Sequence, residues 1–424
     1  MMNETTRSIR PSGTDSVEIS LPPSKSYTNR ALIAAALADG TSTLNNMSLS
    51  DDSKFLLDGL TAFGVLIRPD GNDLIIEGTS GQLVVPQHPV YIGNAGTAMR
   101  FLASLAGLAP GDTCLNGDEQ MQGRPMRELL EALGKAGVRS TSKDGYAPIT
   151  IHGGKFRGGV VTVRGEISSQ YVSSLLLAGP YATHTLTVGV KGELASLPYV
   201  DMTLHVMRTF GASVDVLDPR VFQVSNTDKY IGQTFTIESD ASSATYFLAA
   251  AAITGRHVRV LNLSAESLQG DARFINTLED MGCKVHRGEN FIEANGGELL
   301  GIEVDMNEMP DCVPTLAVVA AFAHGPTTIH NIAHLRHKET DRLTALAKEL
   351  TRIGAGVELF DDGMTIRPRA LHSATIETYN DHRIAMSFAV AGLLVPGIVI
   401  SNPACVSKSF PKFWEEFQKL ELQE

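Results

Sequence analysis

The segment SATYFLAAAAITG, residues 243–255, decides the fold, because its centre, YFLAAAAI, is a helix-forming stretch with no polar face. A helix that is apolar on every side must be covered on every side by other parts of the protein. Similar Ala-rich segments recur along the chain, so we expect six buried helices. The other five are NRALIAAALADG (29–40), TAMRFLASLAGLAPG (97–111), SQYVSSLLLAGPYA (169–182), VPTLAVVAAFAHG (313–325) and HRIAMSFAVAGLLVPG (382–397).

A second pattern, offset from the first, is a helical stretch that closes on glycine and enters a strand rich in valine and isoleucine. A glycine after a helix C-terminus can take the left-handed conformation that turns the chain back. These glycines lie 71 to 74 residues apart, which indicates an internal repeat of about 72 residues. They are Gly64, Gly137, Gly211, Gly282 and Gly354.

The two patterns together predict an α/β protein of six repeats, each ordered as strand, apolar helix, strand, amphipathic helix and further strand. Three repeats around each of two cores is the economical arrangement, which predicts two lobes with the active cleft between them. The sixth repeat is incomplete at the C-terminus. We therefore expect the N-terminal alternating segment SVEIS, residues 16–20, to supply its missing strand.

The composition is that of a globular protein with an acidic balance. With 35 Lys and Arg against 47 Asp and Glu, the formal net charge is −12. This balance argues against a general nucleic-acid binder, because there is no basic excess to displace counterions from phosphates. Any anionic ligand must therefore be held by a local basic pocket.

Cysteine usage and the N-terminus indicate the compartment. The four Cys residues form no C-x-x-C pair, so neither a disulfide framework nor a cysteine zinc site is expected. The first residues have no apolar region of the kind found in signal peptides, and no apolar stretch is long enough to span a membrane. We expect a soluble, cytoplasmic protein without a membrane partner.

Polar and charged side chains that could bind a ligand or take part in catalysis lie in the loops at the helix starts. A helix N-terminus offers unpaired N–H groups and the positive end of the helix dipole, so small residues there form an anion cradle. Ordinary N-capping explains any one loop taken alone, and a salt-bridged surface helix explains RHKETDR (336–342) taken alone. Several loops with both caps and cations favour phosphate or carboxylate binding. The cations are Lys25, Arg30, Arg100, Arg124, Lys338, Arg342, Arg383 and Lys408.

Nucleotide-binding, zinc-protease and hydrolase motifs are not found in the sequence. Nine segments, in order and spacing, instead resemble the 5-enolpyruvylshikimate-3-phosphate (EPSP) synthase family. The resemblance runs from about Leu21 to Lys412. The segments are PSKSYTNRALI, NAGTAMRFL, GDEQMQGRPM, SSQYVSSLLLA, DASSATYFLAAAAI, MPDCVPTLAVVA, HKETDRL, YNDHRIAMSF and SKSFPKF.

The resemblance implies a two-lobed inverse α/β barrel of six βαβαββ units, three per lobe. One lobe would comprise residues 21–238 and mainly bind shikimate 3-phosphate. The other would combine residues 1–20 with 239–424 and carry the catalytic carboxylates and much of the phosphoenolpyruvate site.

The family transfers the enolpyruvyl (1-carboxyvinyl) group of phosphoenolpyruvate to the 5-hydroxyl of shikimate 3-phosphate and releases phosphate. This reaction belongs to the shikimate pathway, which leads to chorismate and the aromatic amino acids. The resemblance implies no cofactor and no metal, and the internal pseudo-symmetry makes us expect a monomer.

The resemblance also implies a role for individual residues. Asp311 would deprotonate the hydroxyl, Glu339 would serve the methylene carbon, and Lys25 would assist proton transfer. Shikimate 3-phosphate would contact Lys25, Ser26, Arg30, Ser168, Ser169, Gln170, Ser196, Tyr199, Asp311 and Lys338. Phosphoenolpyruvate would contact Lys25, Asn94, Gly96, Arg124, Gln170, Arg342, Arg383 and Lys408.

The chain departs from the family pattern at a few positions. His334 stands where many relatives have Asn, and Phe101 stands where Pro is frequent. Gln120 and Gln122 replace basic or other polar residues. These differences concern one substrate contact and the packing around the helix that begins at Gly96, on which sensitivity to the herbicide glyphosate depends.

Two other functions are open to a chain of this kind. UDP-N-acetylglucosamine enolpyruvyl transferase, which has the same fold, carries a Cys shortly before its Arg-Pro pair and an N-terminal Lys-Asn motif. Here GDEQMQGRP has no Cys, and Lys25 is followed by Ser26. A catalytically inactive anion-binding scaffold would be expected to have damaged carboxylates, whereas Asp311 and Glu339 are both present.

Overall fold

The computed structural model describes residues 5–13, 15–264 and 266–422. The chain divides into two compact units. We call Pro23–Glu238 the central unit, and Met1–Pro22 together with Ser239–Glu424 the terminal unit. Among the described residues, no helix is both long and apolar enough to cross a membrane.

Helices are interspersed with single strands and short runs of strands along the chain. The helices are α1 (Lys25–Leu37), α2 (Asp51–Ala62), α3 (Gly96–Ala106), α4 (Glu119–Gln122), α5 (Arg127–Lys135), α6 (Ser169–Ala178), α7 (Leu197–Thr209), α8 (Ala241–Thr254), α9 (Phe274–Asp280), α10 (Val313–Ala320), α11 (Arg342–Arg352), α12 (His382–Gly392) and α13 (Phe413–Phe417). Short 3-10 turns cover Gly179–Tyr181, Gly270–Arg273, Pro310–Cys312, Ala333–His337 and Pro403–Lys408. The strands are β1 (Thr6–Ser8), β2 (Ser16–Ser20), β3 (Thr41–Asn45), β4 (Leu66–Asp70), β5 (Asp73–Glu77), β6 (Val90–Tyr91), β7 (Asp112–Asn116), β8 (Arg139–Lys143), β9 (Tyr146–His152), β10 (Gly159–Arg164), β11 (Leu186–Lys191), β12 (Val214–Asp218), β13 (Val221–Val224), β14 (Thr234–Thr236), β15 (His257–Leu261), β16 (Lys284–Arg287), β17 (Phe291–Asn295), β18 (Glu303–Asp305), β19 (Thr327–His330), β20 (Gly356–Leu359), β21 (Met364–Arg367), β22 (Thr375–Ile376) and β23 (Val399–Ser401).

The central unit contains three four-stranded sheets with a common strand order. In each sheet the first two strands are parallel, and the third is antiparallel to the second. Parallel neighbours need a crossover connection, and α3 and α6 provide it between β6 and β7 and between β10 and β11. The sheet orders are β14–β3–β5–β4, β6–β7–β9–β8 and β10–β11–β13–β12.

The terminal unit repeats this order in the sheets β2–β15–β17–β16 and β18–β19–β21–β20, and has a three-stranded sheet, β22–β23–β1. The predicted place of SVEIS was wrong. Ser16–Ser20 forms β2, which runs parallel to β15 and opens that sheet instead. The strand that joins the last sheet is Thr6–Ser8, antiparallel to β23. The alternation of SVEIS reflects the burial of Ile19 in its own sheet, whereas a three-residue strand is too short to show a period.

The apolar helices form the cores of both units, as the sequence predicts. In the central unit α1, α3 and α6 contact one another, and in the terminal unit α8, α10 and α12 do the same. In α8 every residue from Ala241 to Ile253 is buried. Each fully buried large apolar side chain contributes roughly 1.5–3 kcal/mol. These helices are therefore fixed in place, and the residues at their N-termini are fixed with them.

Four of the six apolar helices begin with a capping side chain. Ser24, Ser168, Asp240 and Asp381 each accept a hydrogen bond from a backbone N–H in the first turn of α1, α6, α8 and α12. Ordinary N-capping therefore accounts for the small polar residues in these loops. The case for anion binding depends on the cations that accompany them.

Candidate active site

Asp311 is the centre of a charged cluster in the terminal unit. It lies in the Pro310–Cys312 turn that precedes α10. Its Oδ1 accepts a hydrogen bond from Arg342 Nη1 at 2.9 Å, and its Oδ2 accepts one from Arg383 Nη2 at 2.8 Å. Lys338 Nζ lies 3.7 Å from Oδ1. Three cations from two segments of the chain, residues 338–342 and Arg383, thus meet at one carboxylate.

These cations determine the charge of Asp311. Burial would raise the pKa of its carboxyl group, but Arg383, Lys338 and Arg342 outweigh burial and hold the pKa well below its usual range. Asp311 is therefore a carboxylate at neutral pH. Its side chain is 17% exposed, so an incoming hydroxyl group can reach it.

Arg342 joins three carboxylates from inside the unit. Its side chain is only 1% exposed. Besides Asp311, it donates from Nη2 to Glu339 Oε2 at 2.8 Å and from Nε to Asp381 Oδ2 at 2.8 Å. Burial lowers the pKa of Arg342, but the carboxylates, Asp381 first, raise it further than burial lowers it. The two predicted catalytic carboxylates are thus held by one guanidinium that stays charged.

Asp381 is a member of the cluster that sequence reasoning did not single out. It is fully buried and accepts the backbone N–H of Arg383 at 2.9 Å, which caps α12. Arg383 in turn donates to the hydroxyl of Tyr246 at 3.2 Å. One carboxylate therefore orients both Arg342 and the helix that carries Arg383. Its signal in the sequence was its place directly before an apolar helix.

Two further residues of interest, Lys408 and His334, lie on short turns that pack against α12 and α11, respectively. Lys408 ends the Pro403–Lys408 turn, which packs against α12, and is 9% exposed. His334 is 6% exposed, and its Nε2 is buried without a hydrogen bond. Burial, and then the charge of Lys338, lower the pKa of His334 to about 3. The imidazole is therefore neutral and adds no charge to the cluster.

Asp271 is a buried carboxyl group that was also not predicted. It lies in the Gly270–Arg273 turn, is 3% exposed and accepts a hydrogen bond from the hydroxyl of Ser242. Burial, and then the charge of Asp311, raise its pKa to about 6. The folded chain therefore holds this proton more tightly than an unfolded chain, in which the pKa is near 3.8.

We expect Asp271→Asn to stabilise the protein at high pH only. The stability that the proton provides is complete below pH about 4 and is lost as the pH rises toward 6, because the folded-state pKa is raised. Asparagine keeps the neutral form at every pH. The free energy of unfolding in urea should exceed that of the wild type by about 3 kcal/mol at pH 8 and equal it near pH 4. The exposed control Asp361→Asn should change it at neither pH, and an Asp271→Asn protein without a gain at pH 8 would contradict the raised pKa.

In the central unit, Lys25 is the first residue of α1. Its Nζ lies 3.0 Å from Oδ2 of Asp52, which is 4% exposed in the first turn of α2. Asp52 is a further partner that the sequence did not reveal, because it lies on another helix. This ion pair holds the ammonium group at the start of α1.

Arg30 lies inside the central unit and joins several predicted ligands. It is 2% exposed. It donates from Nη1 to the Ser26 carbonyl at 2.9 Å, from Nη2 to the Tyr199 carbonyl at 2.9 Å and from Nε to Thr203 Oγ1 at 2.8 Å. Burial lowers the pKa of Arg30 to about 10, so it is charged at neutral pH. Ser26 and Tyr199, two predicted ligands, therefore meet at this guanidinium.

The start of α6 brings together the three residues of the SSQ segment. Ser168 caps the helix, and Ser169 and Gln170 are its first residues. Gln170 Nε2 donates to Thr97 Oγ1 at 3.2 Å, while its Oε1 is buried without a hydrogen bond. A buried polar atom without a partner in the protein calls for an explanation, and a bound ligand is one. Ser196, directly before α7, is 4% exposed and adopts a left-handed φ of 61°.

The start of α3 brings together three predicted ligands of phosphoenolpyruvate. Arg124 is 5% exposed, and its Nη1 donates to Asn94 Oδ1 at 3.4 Å. A Cβ atom on Gly96 would lie 2.5 Å from that Nη1, so only glycine allows the guanidinium to approach this closely. Arg100 donates to the carbonyls of Gly96 and Pro125 at 3.1 and 3.0 Å, and thereby ties the Arg124 loop to α3.

The structure therefore brings Asp311, Lys338, Glu339, Arg342 and Arg383 together in the terminal unit. In the central unit it joins Ser26 and Tyr199 to Arg30, and Asn94 and Gly96 to Arg124. Fixed cations with little exposure can stabilise a multiply charged anion more strongly than mobile surface cations can. Asp311 can accept a proton beside them. Among the described residues, no group of three or more His, Cys, Asp or Glu side chains is arranged to hold a metal ion.

Comparison with known proteins identifies the family to which the chain belongs. The family model of EPSP synthase (3-phosphoshikimate 1-carboxyvinyltransferase) matches residues 9–417. A 3-phosphoshikimate 1-carboxyvinyltransferase of Yersinia pestis is 45% identical over 95% of both chains. One of Trichormus variabilis is 43% identical over 95% of this chain and 96% of that protein.

Solved structures show the same fold. An EPSP synthase from Acinetobacter baumannii superposes with a TM-score of 0.83 at 28% identity, over 99% of this chain and 98% of that one. The enolpyruvyl transferase NikO of Streptomyces tendae superposes with a TM-score of 0.77 at 19% identity, over 97% and 96% of the two chains, and shows the fold alone. The architecture is therefore that of an enolpyruvyl transferase, and the predicted two-lobed α/β fold is confirmed. More specifically, the chain belongs to the EPSP synthase family.

Proposed function

We propose that this protein transfers the 1-carboxyvinyl group of phosphoenolpyruvate to the 5-hydroxyl of shikimate 3-phosphate and releases phosphate, as its family does. The observation that carries the proposal is the environment of Asp311. It is an ionised, reachable carboxylate that touches Arg342 and Arg383 and lies near Lys338. A base of this kind beside several cations suits a reaction between a hydroxyl group and a phosphorylated anion.

The reaction proceeds by addition and elimination. The 5-oxygen attacks C2 of phosphoenolpyruvate as a base takes its proton, and an acid protonates the methylene carbon, which gives a tetrahedral intermediate. The C2–O bond to phosphate then breaks, phosphate leaves with the electron pair, and a proton leaves the new methyl group. Asp311 takes the hydroxyl proton, Glu339 serves the methylene carbon, and Lys25 assists.

The environments of these groups suit their roles. The low pKa of Asp311 keeps it in the ionised form, the form in which its oxygens can accept from a hydroxyl group, and its contacts with Arg342 and Arg383 fix the direction of its oxygens. Glu339 is 9% exposed and is held by the same Arg342 at 2.8 Å. One guanidinium thus sets both carboxylates in a defined relation.

The remaining residues divide between the two substrates. Shikimate 3-phosphate is held mainly by Ser26, Arg30, the Ser168–Gln170 segment, Ser196 and Tyr199. Phosphoenolpyruvate is surrounded by Asn94, Gly96, Arg124, Arg342, Arg383 and Lys408. We further propose that the protein acts as a monomer in the cytoplasm, which sedimentation in the presence and absence of both substrates would test.

Phosphate release tests the reaction directly. Purified protein is mixed with phosphoenolpyruvate and with shikimate 3-phosphate, UDP-N-acetylglucosamine or no acceptor, without added metal or nucleotide. We expect phosphate release only with shikimate 3-phosphate. Release with the nucleotide sugar alone would instead assign the sister activity, and no release with any acceptor would indicate an inactive anion-binding protein.

Gly96→Ala should weaken the use of phosphoenolpyruvate. The added methyl group occupies the space of the Arg124 guanidinium, 2.5 Å away, and must displace it. We expect KM for phosphoenolpyruvate to rise about tenfold, which corresponds to about 1.4 kcal/mol, with KM for shikimate 3-phosphate little changed. Gly123→Ala is the matched control, because its Cβ would meet nothing nearer than 3.4 Å. An unchanged KM in Gly96→Ala would argue against this contact.

A further inference from the structure

A strained turn lies directly before α12. Tyr379 and Asn380, which connect β22 to the Asp381 cap, both have φ of 53°. Positive φ is uncommon outside glycine, and it is a clear outlier for a bulky residue such as tyrosine. Such conformations persist only where the surroundings hold them, and they concentrate at functional sites. The contacts that hold this turn therefore indicate what it does.

Glu349, near the C-terminus of α11, accepts hydrogen bonds from the segment that contains the strained Tyr379–Asn380 turn. Its carboxylate is fully buried. Its Oε1 accepts the hydroxyl of Tyr379 at 2.7 Å, and its Oε2 accepts the backbone N–H of Glu377 at 3.1 Å and Arg352 Nε at 2.8 Å. A buried carboxylate is tolerated only when it is paired and hydrogen-bonded. Here two of the three groups that donate to the carboxylate belong to a single short segment, residues 377–379.

Asn380 links the turn to a second functional segment. Its Oδ1 accepts a hydrogen bond from Asn402 Nδ2 at 3.0 Å. Asn402 also has a left-handed φ, of 43°, and directly precedes the Pro403–Lys408 turn that ends at Lys408. The backbone N–H of Thr378 donates to Ser401 Oγ at 3.3 Å in the same region. Two strained connections are thus joined side by side.

The positions of three cations assigned to phosphoenolpyruvate depend on these two turns. Asp381, the residue after Asn380, accepts Arg342 Nε at 2.8 Å and the backbone N–H of Arg383 at 2.9 Å. Lys408 lies at the end of the turn that Asn402 begins. Rotation of the Tyr379–Asn380 turn would therefore displace cations on three separate segments together.

We infer that Glu349, acting through Tyr379 and Asn380, is a positioning residue for Arg342, Arg383 and Lys408, three of the cations assigned above to phosphoenolpyruvate. The inference rests on the proposed function. None of Glu349, Tyr379 and Asn380 was assigned a substrate contact. Their role is to hold three cations in place at the proposed phosphoenolpyruvate site, and a misplacement of about 1 Å can cost about a hundredfold in rate.

The test compares Tyr379→Phe and Glu349→Gln with the wild type at a temperature where all are folded. Tyr379→Phe removes one hydrogen bond to the buried carboxylate and leaves the ring in place. We expect kcat/KM for phosphoenolpyruvate to fall about tenfold or more, while calorimetry gives an unchanged Kd for shikimate 3-phosphate. Glu349→Gln retains an accepting oxygen, so it should lose less than Glu349→Ala.

Two variants serve as matched controls. Tyr230→Phe removes a buried tyrosine hydroxyl, which donates to the Leu177 carbonyl at 3.0 Å in the central unit. Arg367→Gln removes an exposed arginine of the same unit, whose partner is Glu358. Both should retain the wild-type kcat/KM, even if Tyr230→Phe melts at a lower temperature.

The outcomes separate the inference from the proposed function. If the wild type turns over and Tyr379→Phe has the same kcat/KM at a lower melting temperature, the turn is merely structural and the inference is wrong. If the wild type does not turn over, the proposed function fails, and calorimetric binding of inorganic phosphate decides the positioning role. Weaker phosphate binding by Tyr379→Phe than by Tyr230→Phe would support it, and equal binding would overturn it.

Discussion

Asp311→Asn is expected to lower kcat by about a hundredfold to ten-thousandfold, the usual contribution of a general acid or base. Asparagine has nearly the same shape, and its one amide oxygen can still accept a hydrogen bond from Arg342 or Arg383, but it cannot take the hydroxyl proton. Steady-state phosphate release, with circular dichroism to confirm folding, measures the effect. KM for phosphoenolpyruvate should change much less than kcat.

Glu308→Gln provides the matched control for this variant. It removes a carboxylate from the same unit, but one that is 49% exposed and paired with the exposed Arg273. Its kcat should equal that of the wild type. Near-normal turnover by folded Asp311→Asn would remove Asp311 from the mechanism and leave Glu339 as the remaining candidate for the base.

Arg342→Gln is expected to have the largest effect on stability. Arg342 is buried and joins Asp311, Glu339 and Asp381. Removal of the guanidinium leaves several carboxylates close together without their shared cation. Breaking a buried ion pair in this way costs about 3–5 kcal/mol, and the free energy of unfolding in urea should fall by that amount. Activity should be lost as well, because both catalytic carboxylates lose their orientation.

Two comparisons show whether the geometry of the guanidinium matters. Arg342→Lys keeps the charge, but one ammonium group cannot reproduce three directed contacts, so this variant should remain much less active than the wild type. Arg367→Gln removes an arginine that is 53% exposed and paired with Glu358, and it should change stability little. Equal losses in Arg342→Gln and Arg367→Gln would contradict the account of the buried network.

The fold could be predicted from the sequence wherever a pattern was long enough to repeat. The apolar helices and the glycines that end their amphipathic neighbours recur at nearly constant spacing, and the α/β prediction followed from them. The sheets that the two N-terminal strands join, β2 with β15 and β1 with β23, could not be predicted in the same way. SVEIS pairs with β15, which lies more than two hundred residues away along the chain. A local period does not identify a distant partner.

The candidate site shows the same division. The cations and the residues at helix starts could be recognised because they lie in segments with a recognisable pattern. Their partners could not, since Asp52, Asp271 and Glu349 lie on elements whose approach is set by packing and not by spacing along the chain. These partners decide charge and orientation, so the sequence predicts the site's composition better than its electrostatics. Whether each predicted ligand touches substrate stays a prediction.

The acidic balance of the chain is compatible with the basic site in the terminal unit. Arg342 and Arg383 are buried, and the structure pairs them with Asp311 and Asp381. Buried cations need such partners in the absence of substrate. A basic site inside an acidic protein is therefore a network of paired charges, in which an arriving anion competes with carboxylates that are already present.

The most direct test of the account is to follow the reaction in deuterated water by NMR. Wild-type protein, shikimate 3-phosphate and phosphoenolpyruvate should give inorganic phosphate and the 5-carboxyvinyl ether in equal amounts. Because the methylene carbon gains and then loses a proton, the vinyl group of the product should carry deuterium. Absence of the ether, or an ether formed with no deuterium in its vinyl group, would contradict the addition–elimination assigned to Asp311 and Glu339.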